Sequence, residues 1–342
     1  MRETTSGIYR CPYTREPLTL RDAQRDGDTI VSGTLVAPSG QVFPIRYGVP
    51  HLVDVSSEAF GDEERREYEF YEATSELYDP AMDWMFESFG VREDDVRGTF
   101  VAALDLQPSS KVLDIGGGTG RDSIRFARKL GPDGQLFLQD LSPAMLMVGK
   151  RRLEAEARPD GPLLEAFVGN VAHLPFPDGY FDAVFHFGAF NIFTDRKAAL
   201  MEMTRVVRPG GKVAFGDEGL GPWLRDTTYG KILLNSHPMY DYRIELELLP
   251  ESARDVHVQW LIGNAFFLVD FVVGEGTPYV NLDLPILGRR GGTHRTRYFG
   301  RLEGVTPETK ALMEKAAAAS GLSLHAWMEQ VVGETARKQL GE

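Results

Sequence analysis

A chain of 342 residues, 42% hydrophobic and 25% charged, is long enough for two domains or one enlarged domain with appendages, and its composition excludes wholesale disorder and collagen-like repetition. Lys and Arg number 37 against 50 Asp and Glu, a formal charge of −13 that repels nucleic-acid backbones unless basic residues are locally segregated. The single cysteine, Cys11, excludes an intramolecular disulfide, a Cys-rich zinc knuckle and chemistry that needs several thiols, and makes the cytoplasm the expected compartment.

Residues 1–55 read as a small β-rich module, with short strands in IYRCPYTREPLTL, TIVSGTLVAPSG and QVFPIRYGVPHLV separated by Pro and Gly. Residues 56–106 turn acidic and helical, as lid or linker helices, with Ser57 a candidate cap and Tyr68, Phe70, Tyr71 and Tyr78 spaced along them. From 107 to 275 apolar runs alternate with helical stretches. KVLDIG precedes a helix over 121–130, and QLFLQD precedes one from 142. EAFVGN and FDAVFHFG follow, then a helix over 197–207 and KVAFGDE. DVHVQWLIG and AFFLVDFVVG, joined at Gly263-Asn264, add an antiparallel hairpin at the sheet's far edge. The expected fold class is therefore α/β, a doubly wound, mostly parallel sheet of seven strands. Residues 276–342 should hold a strand and a helical hairpin, broken at Gly321 and capped by Ser323. No run reaches the roughly 18 apolar residues of a membrane span, and the N-terminus lacks a signal's apolar core, so neither a span nor export by that signal is expected.

Asp114-Ile115-Gly116-Gly117-Gly118-Thr119-Gly120 sets a glycine-rich turn between a buried strand and a helix. Glycines let a ligand approach the backbone, and the free N–H groups of a helix start attract a carboxylate or other anionic group. Asp140 stands 20 residues past Gly120 at the end of the next strand, where a carboxylate accepts hydrogen bonds from ribose hydroxyls. A dinucleotide fingerprint beginning at Gly116 would require Gly or Ala where Arg121 stands, which makes a dehydrogenase the weaker reading.

Together with Gly169-Asn170-Val171, Phe181-Asp182-Ala183-Val184 and EMTRVVRPGG over 202–211, these motifs resemble those of class I S-adenosylmethionine-dependent methyltransferases, over roughly 70–275. The resemblance implies a Rossmann-like methyltransferase fold and S-adenosyl-L-methionine as cofactor. Asp114, Gly116, Gly118 and Gly120 would surround its methionine end and Asp140 its ribose. Asn170 and Val171 would lie against the adenine, with Met145 or Leu141 on the other face. Tyr71 and Tyr78, in a stretch that approximates the family's Y-x-x-x-A-x-x-Y-D helix, would close the pocket.

Methyl transfer from a sulfonium is an in-line displacement, which positioning and desolvation accelerate without an obligatory acid or base. For a hydroxyl or protonated amine a base helps, and His186, Asp217 and Glu218 are the candidates at the strand ends. His186 reads equally as a core histidine, the two acids as capping or solvent-exposed groups. Asn191, Trp223, Tyr229 and His237 are the candidate substrate contacts, the last three within a substrate-side insertion over 221–250 whose aromatic density suits an apolar pocket or ordinary core.

Cys11-Pro12-Tyr13-Thr14 with Phe43-Pro44-Ile45-Arg46-Tyr47-Gly48-Val49-Pro50 is similar to the Trm112-like module of methyltransferase partners. Thr14 stands where a second metal-binding cysteine would, so no metal is expected. The tail THRTRYFGRL over 293–302, followed by two helices, is similar to a ribbon-helix-helix unit, which implies a strand-mediated homodimer. Arg289, Arg290, Arg295, Arg297 and Arg301 make it basic, yet the acidic remainder disfavours nucleic acid as a partner. The leading reading is a cytoplasmic, homodimeric enzyme that methylates a small molecule at oxygen, nitrogen or carbon. The alternatives are an RNA methyltransferase and a non-catalytic cofactor-binding regulator or scaffold. The lone cysteine disfavours thiol-dependent arsenic methylation.

Overall fold

The computed structural model describes residues 1–54, 62–299 and 305–342, which form two units, Met1–Gly276 and Thr277–Glu342. The candidate cap Ser57 and the basic residue Arg301 lie outside the described residues. The first unit opens with four antiparallel strands paired in chain order, β1 (Thr19–Asp26), β2 (Thr29–Val36), β3 (Val42–Arg46) and β4 (Val49–Pro50). Alternation along β3 buries Phe43 and Ile45 and turns Val42 and Arg46 outward, as a half-buried strand requires. Helices α1 (Asp62–Ser88) and α2 (Glu93–Leu104) follow.

The apolar runs then become β5 (Lys111–Ile115), β6 (Gln135–Asp140), β7 (Leu163–Val168), β8 (Phe181–Phe187) and β9 (Val207–Glu218). Between them run α3 (Ser123–Lys129), α4 (Pro143–Ala155) and α5 (Arg196–Arg205), with α6 (Thr228–Ser236) after β9. The hairpin is β10 (Ala253–Leu261) and β11 (Phe266–Val273). Strand order is β10-β11-β9-β8-β5-β6-β7, parallel from β9 to β7, with β11 and β10 antiparallel. Gly263 and Asn264 both take positive φ, +64° and +59°, and the Ala265 N–H reaches the Ile262 carbonyl at 3.1 Å, as a two-residue primed turn demands. Chain order reverses between β5 and β8, and that reversal opens a crevice at their carboxyl ends.

The N-terminal segment is part of the first unit because residues before β1 and after β4 complete the flank of β7. Glu165 of β7 accepts from the Arg2 N–H and the Thr5 hydroxyl, both at 2.7 Å, and the Leu52 N–H donates to the Val168 carbonyl at 2.7 Å. Phe176 fills the seam, its ring 5.5 Å from Tyr9, 5.3 Å from Phe137, 5.2 Å from Phe167 and 4.8 Å from Phe181. Cys11 is buried with its sulfur 3.8 Å from Gln41 Oε1.

In the second unit α7 (His294–Phe299), α8 (Pro307–Ala319) and α9 (Leu324–Leu340) are helical, and Ser323 caps α9 by accepting from the Ala326 N–H. The strand expected from residue 293 is instead α7. Thr293 and Thr296 exchange hydrogen bonds, each hydroxyl accepting from the other's N–H at 3.1 and 2.8 Å. Arg297 folds back onto the Gly291 carbonyl. The segment closes on its own residues, whereas a strand would need a partner. Arg295 is paired with Asp283 at 2.8 Å. Among the described residues no helix is long and apolar enough to cross a membrane.

Phe176→Ala removes a side chain that is 1% exposed and should cost about 3–5 kcal/mol, read as a lower urea midpoint at unchanged slope. A loss under about 1 kcal/mol would mean that the seam is held elsewhere.

Candidate active site

β5 delivers the chain into a bend that only glycine builds. Gly116, Gly118 and Gly120 have φ of +60°, +52° and +76°, a region that side chains make costly. A Cβ on Gly117 would lie 2.3 Å from Leu138 Cδ1 and 2.8 Å from Asp114 Oδ2, and one on Gly120 would lie 3.1 Å from Gly149 Cα in α4. Asp114 supports the bend from below. It is buried, accepts from the Ser123 hydroxyl, and burial raises its carboxyl well above the usual range.

Asp140, at the end of β6, is tied to the bend. Its Oδ2 accepts from the Gly118 N–H at 2.9 Å and its Oδ1 from the Ser142 N–H at 2.8 Å. Burial nevertheless pushes its carboxyl up to about 6, against these N–H bonds, with Glu72 adding a like charge. Beside it, Gln139 accepts from the Gly116 N–H at 3.1 Å and donates to the Gly169 carbonyl. One amide thus joins the ends of three strands.

Above lies a cleft of about 960 Å3, the open solvent at its mouth included. Its walls include Gly116, Asp140, Leu141, Met145, Asn170, Val171 and His186, with Tyr71 and Tyr78 from α1. Gly118 and Gly120 shape the floor without lining it. α1 is held down as a lid by carboxylates. Glu72 Oε1 accepts from the Ser142 hydroxyl at 2.5 Å and the Ala144 N–H at 2.7 Å, at the start of α4. Asp79 accepts from the Thr119 hydroxyl at 2.7 Å and pairs with Arg152 and, at 3.3 Å, Arg121. Burial works against ionisation of Asp79, but the Arg152 and Thr119 bonds outweigh it and hold the carboxyl low. Arg121 also pairs with Glu93 at 2.7 Å. Burial opposes ionisation there too, but Arg121 and Arg97 draw the Glu93 carboxyl down to about 2.

His186, in β8, is fully buried. Its Nδ1 lies 2.9 Å from the Ile115 carbonyl, which can only accept, so Nδ1 carries the proton and Nε2 a bare lone pair. Nε2 is buried without a partner, and burial lowers the imidazole to about 4.

Asp217 and Glu218 are not brought into the cleft wall. Asp217 is fully buried and accepts from the Asn191 and Glu218 N–H groups at 2.6 and 2.8 Å; burial first, then Glu218, raises its carboxyl. Asn191 has both side-chain amide atoms buried and unpartnered, outside the lining. Trp223, Tyr229 and His237 also stand away from the wall, each in local contacts. The Trp223 ring meets Trp260 edge-on at 5.1 Å, the Tyr229 hydroxyl donates to the Gly263 carbonyl at 2.8 Å, and His237 caps a short turn. The wall instead includes Tyr68, Gln139, Ile192, Phe193 and Asp195. Ile192, Phe193 and Asp195 lie in the connection from β8 to α5, beyond the strand's carboxyl end, where the topology rule points; Gln139 has no signal in the sequence. Ala189, also in the wall, has φ +101°, a strain that functional sites tend to store.

Residues 112–211 match a family described as a methyltransferase domain. A ubiquinone/menaquinone biosynthesis C-methyltransferase UbiE of Cupriavidus pinatubonensis is 46% identical over 114 residues, 33% of this chain and 45% of that protein. Its namesake from Chromobacterium violaceum is 35% identical over 179 residues, 48% of this chain and 70% of that protein. The chain thus spans less than half the length of the first of these relatives. Among solved structures, a Haemonchus contortus phosphoethanolamine N-methyltransferase 2 in complex with phosphomonomethylethanolamine and S-adenosylhomocysteine superposes with a TM-score of 0.46 at 15% identity, over 61% of this chain and 60% of that one.

Because Asp79 joins α1 to the Arg121 and Arg152 guanidiniums, Asp79→Ala should weaken the lid's hold by about 2 kcal/mol. Amide hydrogen exchange over residues 68–79 should then quicken about 30-fold; unchanged protection would show that Asp79 does not latch the lid.

Proposed function

The chain belongs to the S-adenosylmethionine-dependent methyltransferases, and on that premise we propose that it methylates a small molecule bound in the cleft above β5 and β8. When bound, the cofactor supplies an electrophilic methyl carbon, whose bond to sulfur breaks as the acceptor's lone pair bonds to it. What carries the reading is that the glycine bend and Asp140 meet at one point, the 2.9 Å bond from the Gly118 N–H to Oδ2. A Cβ on Gly118 would come within 3.0 Å of Met145 Cε and 3.8 Å of Asp140 Oδ2, in space such a ligand needs.

Asp140 is assigned the ribose hydroxyls, since each of its oxygens keeps a lone pair after its backbone bond. Leu141, Met145, Asn170 and Val171, all in the cleft lining, are assigned the adenine. Tyr71 and Tyr78 are assigned the exclusion of water beneath the lid, which strengthens every polar contact inside. Burial raises the Tyr78 hydroxyl, which stays neutral there. The Thr277–Glu342 unit is assigned to self-association, because α8 and α9 leave Leu312, Val331 and Val332 exposed.

Calorimetric titration with S-adenosylmethionine tests the site. Asp140→Ala should weaken binding about 10- to 100-fold and Gly118→Val should abolish it. An ionised Asp140 is the better acceptor, so affinity should be greatest above pH 7 and fall about ten-fold by pH 5, as the carboxyl that titrates near 6 protonates. Undiminished binding in both variants would remove the assignment. Light scattering should give a dimer mass that Leu312→Glu with Val331→Glu halves; a monomeric wild type ends the self-association proposal.

A further inference from the structure

We propose that His186 recognises the methyl acceptor, its Nε2 taking a hydrogen bond from a hydroxyl on a neutral, largely apolar molecule. This rests on the cleft being the cofactor's site. The imidazole is fully buried, lines the cleft, and has an Nε2 with no partner. Its other nitrogen is committed to the Ile115 carbonyl. A buried acceptor left unpaired is destabilising, and a donor on the ligand relieves that cost. Burial keeps the ring neutral, down to about pH 4, so it receives a hydrogen bond throughout the neutral range.

The bend holds the ring in place. A Cβ on Gly116 would lie 3.3 Å from His186 Cε1 and Nδ1, so glycine there lets the imidazole lie against the loop, and Phe193 covers it at a centroid distance of 4.7 Å. The neighbouring amides are already engaged, Gln139 by Gly116 and Gly169 and Asn170 Oδ1 by the Ala172 N–H. The wall fixes the ligand's charge. Among the described lining residues there is no Lys or Arg, whereas Asp140 and Asp195 bring carboxylates. An anionic acceptor would meet like charge and no partner. A hydroxyl on an apolar body suits both the bare lone pair and the Ile192 and Phe193 side chains beside it.

The test uses the full chain saturated with S-adenosylhomocysteine, and 1-naphthol against its methyl ether, 1-methoxynaphthalene, as probes. Wild type should bind the naphthol about ten-fold more tightly. H186L should bind both alike, and H186Q, whose amide oxygen reaches the Nε2 position, should recover part of the preference. In wild type the His186 Nε2 resonance, followed by two-bond 1H–15N spectra, should shift with the naphthol and not with the ether, a readout that needs no variant to fold. Equal affinities in wild type, no binding of either probe, or a preference that survives H186L overturns the proposal. So does a ten-fold loss of S-adenosylhomocysteine affinity in H186L with the naphthol preference intact, which would assign Nε2 to the cofactor's ammonium. Failure of wild type to bind S-adenosylhomocysteine sinks the cofactor site itself.

Discussion

The bond from the Gly118 amide to the Asp140 carboxylate joins the ends of two adjacent parallel strands, and the cleft floor is built around it. It forms because the bend carries no side chains: a Cβ on Gly117 would strike Leu138 and Asp114, and Gly118 needs a positive φ to aim its N–H at β6. Burying a carboxylate is costly, and here the backbone donors offset only part of the cost, which is why Asp140 stays harder to ionise than an exposed aspartate. A further hydrogen-bonding ligand would offset more. Gln139 does the neutral version of the same work one residue earlier, spacing the ends of β5 and β7 through one amide.

The charges divide the molecule in a way the net −13 does not convey. Arg97, Arg121 and Arg152 are gathered under the lid and answered by Asp79, Glu93 and Asp122, so the ion pairs are partly buried and networked rather than scattered over the surface. The cleft wall keeps carboxylates and aromatic rings without an opposing guanidinium among its described residues. Such a wall suits the positive charge that the proposed cofactor's sulfonium brings. Arg121, which breaks the dinucleotide spacing, is an anchor for the helix that covers the cleft.

Features that depend on chain neighbours were legible. Apolar runs alternating with helices place the parallel strands, Gly263-Asn264 the edge hairpin, and Ser323 a helix start. Tyr71, Tyr78, Asp140 and His186 line the cleft because each belongs to a motif or a strand end. Aromatic density over 221–250 did not say which way the rings face. Trp223 and Tyr229 pack on the hairpin rather than the cleft. The tail from residue 293 reads as a strand by likeness to another unit, yet the reciprocal Thr293 and Thr296 bonds close it as a helix.

Sequence alone therefore determined the α/β order, the glycine bend and the acid that follows it, since these rest on periodicity and on backbone angles that few residues adopt. Only the tertiary structure decided that Asp79 would latch onto Arg152, that Gln139 would bridge two strands and that one nitrogen of His186, a residue of the cleft lining, would be buried without a partner. Each of those depends on groups 23 to 73 positions apart in the chain, brought within bonding distance by strand pairing and helix docking, and no local pattern encodes which of them will meet.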